Sequence, residues 1–154
     1  MRLIQIYCDG GCRGNQNTKN IGGYGFVIHE KETHEGWGID FDTTNNRMEL
    51  TACIKALKFT SNIVSKKTPI HVYTDSLYLV RGINEWHKNW LRKGWINSKG
   101  KPVENRDLWE RLLFLADHFN DIRFTHVRGH ADNEGNNRAD YLVNLAMDEY
   151  LESQ

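Results

Sequence analysis

The chain has 154 residues, 39% hydrophobic and 26% charged, which suits one domain with a core large enough to fold unaided. Its 20 basic and 20 acidic residues cancel, which argues against a polyanion partner held by overall charge and leaves only local patches. No run approaches the roughly 18 apolar residues of a membrane span, and the amino-terminal apolar stretch is too short for a signal peptide, so a cytoplasmic protein is expected.

Residues 2–9 alternate as a strand that is expected to end at Asp9, where Gly10-Gly11 reads as a breaker. Gly22 to Ile28 and Trp37 to Phe41 read as two further strands joined by a polar turn over His29–Gly36, an antiparallel meander. Thr44, Asn45 or Asn46 then caps a helix whose apolar face is Met48, Ala52, Cys53, Ala56, Leu57 and Phe59. A fourth strand runs over Ile70–Thr74 and meets Asp75, and Ser76 to Ile83 reads as a short helix. From Lys88 to Lys101 there are five basic residues and no acidic ones. Asn105 to Phe119 is an amphipathic helix with Leu108, Leu112, Leu115 and Phe119 on one side. Ile122–Val127 is a fifth strand, Arg128–Asn136 a polar loop, and Asn137–Leu151 a last helix. The order β-β-β-α-β-α-α-β-α implies an α/β fold, a mixed five-stranded sheet with helices on its faces. No linker or repeat interrupts it, so residues 1–154 are expected to form a single domain. Cys8, Cys12 and Cys53 are an odd number without zinc-like spacing and are read as reduced thiols.

Four acids fall at telling places. Asp9 and Asp75 close the first and fourth strands; if these are parallel neighbours, both carboxylates emerge at the carboxyl end of the sheet, where open α/β sheets place their ligands. Glu49 sits at the margin of the apolar stripe of its helix, and Asp140 beside the stripe of Ala139, Leu142, Val143 and Ala146. Any one of them alone is ordinarily a solvated surface acid. Together they would repel unless a cation neutralised them, and an all-oxygen ligand set suits magnesium or manganese better than zinc.

The segments Cys8-Asp9-Gly10-Gly11-Cys12-Arg13-Gly14-Asn15, Thr44-Asn45-Asn46-Arg47-Met48-Glu49-Leu50, Thr74-Asp75-Ser76, Val127-Arg128-Gly129-His130 and Asn137-Arg138-Ala139-Asp140 occur in that order. In this combination the chain closely resembles type 1 ribonuclease H of the bacterial kind, from Arg2 to about Ala146. The resemblance implies a hydrolase that cuts the RNA strand of RNA–DNA hybrids and leaves 5′-phosphate and 3′-hydroxyl ends. It implies that Asp9, Glu49, Asp75 and Asp140 bind two magnesium ions, and that His130 takes a supporting role in proton transfer or product release.

For substrate binding, the resemblance points to minor-groove contacts at Asn15, Asn45 and the backbone around Cys12, with Thr44 close to a DNA phosphate. Asn45 serves equally as a helix cap. Residues of about 85–104 resemble a basic handle, with Trp86 beside the DNA strand and Lys88, Arg92 and Lys93 supplying charge. Trp86 and Trp90 are four apart, and Trp90 is expected to pack into the core. No separate hybrid-binding module precedes residue 2, so binding is expected to come from this domain, acting as a monomer. Leu77 departs from the family pattern, since bacterial relatives commonly carry a base-contacting glutamine there, and Cys8 replaces a more usual threonine. Three other readings fit the residues less well. A resolvase- or integrase-like DNA nuclease would lack the Thr44–Leu50 segment, a hybrid-binding module without activity would have lost a metal ligand, and a carboxylate-pair glycosidase would not need the basic handle.

Overall fold

A computed structural model of the chain describes residues 2–14, 20–128 and 133–154. Its strands are β1 (Ile4–Arg13), β2 (Ile21–His29), β3 (Thr33–Phe41), β4 (Ile70–Thr74) and β5 (Ile122–His126), and its helices α1 (Asn45–Ser61), α2 (Leu77–Arg81), α3 (His87–Arg92), α4 (Arg106–His118) and α5 (Glu134–Glu152). The sheet order is β3-β2-β1-β4-β5. β1, β2 and β3 form the expected antiparallel meander, and β4 and β5 lie parallel to β1.

Strand alternation divides the core into two layers. Ile4, Ile6 and Cys8 point to one face and pack with Leu50, Ile54, Leu57 and Leu112 of α1 and α4. Tyr7 and Val27 point to the other, where Ala139 and Leu142 of α5 cover them. Each fully buried leucine on the first face contributes roughly 1.5–3 kcal/mol. Phe59, expected on the apolar face of α1, lies 39% exposed at its margin, against Phe26 and His34.

Several boundaries differ from the sequence reading. β3 begins at Thr33, inside the segment read as a polar turn, because β2 pairs with it from His29 opposite Thr33 onward. β1 does not stop at Asp9 but runs through Gly10 and Gly11 to Arg13, pairing with β2 throughout. Gly10 is there for close approach: an added Cβ would stand 2.3 Å from the Met48 carbonyl carbon, so α1 rests on the strand backbone itself. α5 begins at Glu134, three residues early, because Asn133 caps it by accepting from the Asn136 N–H at 2.9 Å. The helix read as ending at Ile83 continues: a π-helical turn over Gly82–Trp86 joins α2 to α3.

That extension builds the aromatic base of the basic segment. Trp90 packs against Trp86, Trp95 and Trp109 at ring separations of 6.1, 6.0 and 5.2 Å, and is 8% exposed, a core residue as expected. The Trp109 indole N–H donates to the Tyr78 hydroxyl at 2.8 Å. Gly82 lies flat on Trp109, where a Cβ would come within 2.1 Å of the ring. Among the described residues, no helix is long and apolar enough to cross a membrane.

Candidate active site

Four elements each deliver one carboxylate to a cleft of about 320 Å³ lined by Asp9, Glu49, Asp75, Asp140, Gly11, Cys12, Asn45, Val143 and Asn144. The parallel register explains two of them. Cys8 faces Thr74 as the last rung between β1 and β4, so Asp9 and Asp75 leave the sheet side by side. Glu49 arrives from the second turn of α1, held by Met48 and Leu50, both buried. Asp140 arrives from α5 on the opposite face.

Crowding shows in the electrostatics. Asp9 is 6% exposed, and its pKa is pushed up from 3.8 to about 8, first by burial and then by the neighbouring charges of Asp75 and Asp140. The Gly10 N–H, 2.9 Å from Asp9 Oδ1, works the other way. Burial also raises Glu49, as does the charge of Asp75, while a hydrogen bond from Ser76 lowers it. Ser76 was not singled out in the sequence. It is 4% exposed, caps α2 by accepting from the Leu79 N–H at 3.1 Å, and is the hydroxyl partner of Glu49.

A buried carboxylate that resists ionisation beside three more acids is a site whose charge calls for a cation. Among the described residues, no group of three or more His, Cys, Asp or Glu closes into a cage by itself. The carboxylates instead ring an open cleft, and this fits a hard cation that keeps water and takes substrate phosphate oxygens alongside one or two protein carboxylates.

The proposed substrate contacts fall into two groups. On one rim, Asn45 Oδ1 accepts from the Cys12 N–H at 2.8 Å, which leaves its amide nitrogen as a donor on the cleft side of α1. Thr44 is exposed and is the N-cap of α1, its hydroxyl accepting from the Arg47 N–H at 3.1 Å. Arg13 is fastened to α5 through Asp148 at 2.6 Å and Asn144 at 2.7 Å. The second group is on the basic segment. Trp86 is half-buried, and Lys88, Arg92 and Lys93 are exposed. Trp86 and Lys93 flank a cleft of about 380 Å³ with Tyr78, Asn89, Trp90 and Asn97. Leu77 is 48% exposed at the start of α2 and offers no hydrogen bond. Asn15 and His130 lie outside the described residues.

Comparison with known proteins agrees with this architecture. The ribonuclease H family model matches residues 2–148. A ribonuclease H from Geotalea uraniireducens is 47% identical over 148 residues, spanning 94% of each chain. The fold is similar to that of LC9-RNase H1, a type 1 RNase H with the type 2 active-site motif (TM-score 0.81, 28% identity, 96% of this chain and 72% of that one). It is also similar to LC11-RNase H1 solved in complex with an RNA/DNA hybrid (TM-score 0.74, 29% identity, 96% and 99%). A family match over nearly the whole chain, on a mixed sheet of the same architecture, places the chain in the ribonuclease H family, whose members are metal-dependent enzymes.

Proposed function

We propose that the chain is an endonuclease that hydrolyses the RNA strand of RNA–DNA hybrids, leaving 5′-phosphate and 3′-hydroxyl ends. The observation that carries this reading is the meeting of Asp9, Glu49, Asp75 and Asp140 from four separate elements in one open cleft. These four residues would hold magnesium, or manganese in its place, as two ions with substrate bound. Metal held there would supply Lewis-acid activation of the attacking water and charge stabilisation at the leaving 3′ oxygen.

The chain's own groups do the rest. The four carboxylates hold the cation charge where the scissile phosphate enters. Ser76 lies beside the Glu49 carboxylate and favours its charged form. Asn45, Asn15 and the Cys12 backbone read the minor groove, where amides both donate and accept to 2′-hydroxyls and base edges. Thr44 approaches a DNA phosphate. The segment over residues 85–104 acts as a basic handle for the DNA strand, with Trp86 alongside the backbone and Lys88, Arg92 and Lys93 neutralising phosphates. His130, an imidazole able to take up and give back a proton, moves a proton or helps product depart. The enzyme works as a cytoplasmic monomer in this reading.

A labelled RNA–DNA hybrid tests it, with duplex RNA, duplex DNA and single-stranded RNA as controls, with and without magnesium. The expected result is cleavage of the RNA strand of the hybrid alone, abolished by chelator. Cleavage of duplex DNA would move the chain to a resolvase-like activity, and binding without cleavage to a recognition module.

A further inference from the structure

Outside the cleft, a single amide continues the sheet where the sheet should stop. β2 and β3 end their pairing at Ile21 and Phe41. The Asn20 carbonyl then accepts from the Asp42 N–H at 3.0 Å, adding one more rung. At Asp42 the chain turns off through a left-handed conformation, φ 51°, toward α1. Beyond that turn no strand backbone among the described residues faces Thr43, and the Asn20 side chain takes its place. Asn20 Oδ1 accepts from the Thr43 N–H at 2.8 Å, and Asn20 Nδ2 donates to the Thr43 carbonyl at 2.7 Å. The side chain thus acts as a peptide group and satisfies both backbone atoms of a residue that is 7% exposed.

Asn20 is also pinned from behind. Gly14 at the end of β1 crosses it so closely that an added Cβ there would stand 2.7 Å from its Cα. It therefore sits between the end of β1 and the residue before Thr44, the N-cap of α1. Asn45, next along, holds the Cys12 N–H. Two amides, Asn20 and Asn45, fasten the N-terminus of α1 to the β1–β2 pair.

We infer that Asn20 is a positioning residue for substrate binding, acting through Thr43 to set where Thr44 and Asn45 stand relative to Cys12; this rests on the hybrid-cutting function proposed above. Side-chain chemistry makes the position selective. Aspartate has the shape but no donor, and would set an oxygen against the Thr43 carbonyl. Serine offers a single polar atom, and glutamine places its amide one bond too far. The carboxylate Glu49 does not depend on this clasp, because Met48 and Leu50 are buried and α1 lies directly on Gly10. Loosening Asn20 should therefore disturb binding more than chemistry.

Steady-state cleavage of a hybrid by Asn20→Ala, Asn20→Asp and the milder Asn20→Ser separates the two, with melting temperatures taken alongside and the wild-type chain testing the activity itself. The expected result is a KM raised about tenfold in Asn20→Ala with kcat within about twofold, as the loss of two hydrogen bonds at a binding element implies. Asn20→Asp should be no better than alanine despite its shape. Combined with Asn45→Ala, the effect of Asn20→Ala should largely vanish, since both act on the same contact. A fall in kcat with KM unchanged, or KM effects that simply multiply in the double variant, would overturn the inference.

Discussion

Asp9 and Asp75 each stand one residue beyond the same rung of the sheet, Cys8 against Thr74, Asp9 still within β1 and Asp75 just past the end of β4. Two carboxylates are thereby fixed by backbone register. A side chain on a mobile loop could swing away from its neighbour to relieve repulsion; these cannot. The strain appears at Asp9, the more buried of the pair, whose proton is held to about pH 8.

Asp75→Asn keeps the size of the side chain and removes its charge. The expected outcome is loss of hybrid cleavage by roughly a hundredfold or more with the fold intact, since the site acts through preorganised charge. Cleavage rates and the circular-dichroism melt of the variant check this. Near-normal magnesium-dependent activity would remove Asp75 from the site.

The pKa of Asp9 makes a prediction about stability, with a sign opposite to that of a salt-bridged acid. Between about pH 4 and 8 the folded chain keeps a proton that the unfolded chain has released, so unfolding becomes easier as pH rises through that window. Asp9→Asn should therefore stabilise the metal-free protein at pH 7, by roughly 2–4 kcal/mol, and flatten its stability between pH 4 and 8. Urea unfolding with chelator present, across that range, measures it. A less stable variant at pH 7 would show that burial and its acidic neighbours do not penalise an ionised Asp9.

Neutralising Lys88, Arg92 and Lys93 together should weaken hybrid binding and lower the salt-dependence slope by about 2 to 3, one counterion released per lost phosphate contact. All three are exposed, so the fold should not suffer. Binding measured at several salt concentrations decides the matter, and an unchanged slope would mean the segment does not touch phosphate.

Gly10→Ala tests the seating of α1. Its methyl would stand 2.3 Å from the Met48 carbonyl carbon and 2.6 Å from the Glu49 nitrogen, backbone atoms that cannot rotate away. A loss of about 1–3 kcal/mol is expected from overpacking, together with reduced activity, because the atoms displaced carry Glu49. Denaturant unfolding checks the first and cleavage the second. A variant as stable as the parent would show that α1 is free to lift.

The same glycine shows where the sequence was ambiguous. Gly10-Gly11 reads as a breaker, but the pair serves close approach of α1 to the strand, which only the position of Met48 reveals. The order of elements along the chain, and the placing of the four acids at strand ends and helix margins, were legible because alternation, helical spacing and the ends of apolar runs carry them. Trp90 was legible as core for the same reason, its spacing from Trp86. Ser76 and Asn20 were not, since a single hydroxyl or amide at an element boundary has no period and its partner is distant in the chain. The early start of α5 was hidden by Gly135 in its first turn. That glycine is required by the Tyr7 ring, 2.4 Å from where its Cβ would be.

The aromatic base under the basic segment has a mechanical consequence. Gly82 flat on Trp109, with Trp90 wedged between Trp86, Trp95 and Trp109, leaves little slack where α2 passes into α3. The rim carrying Thr44 and Asn45 is bolted to the same body, through the Arg47 guanidinium on Asp107 at 2.8 Å. The two proposed contact surfaces are thus joined to one body, like the jaws of a calliper. On the function proposed here, a duplex whose strands are spaced wrongly would engage one jaw and miss the other, so the body of the protein gauges groove width before any ribose is touched.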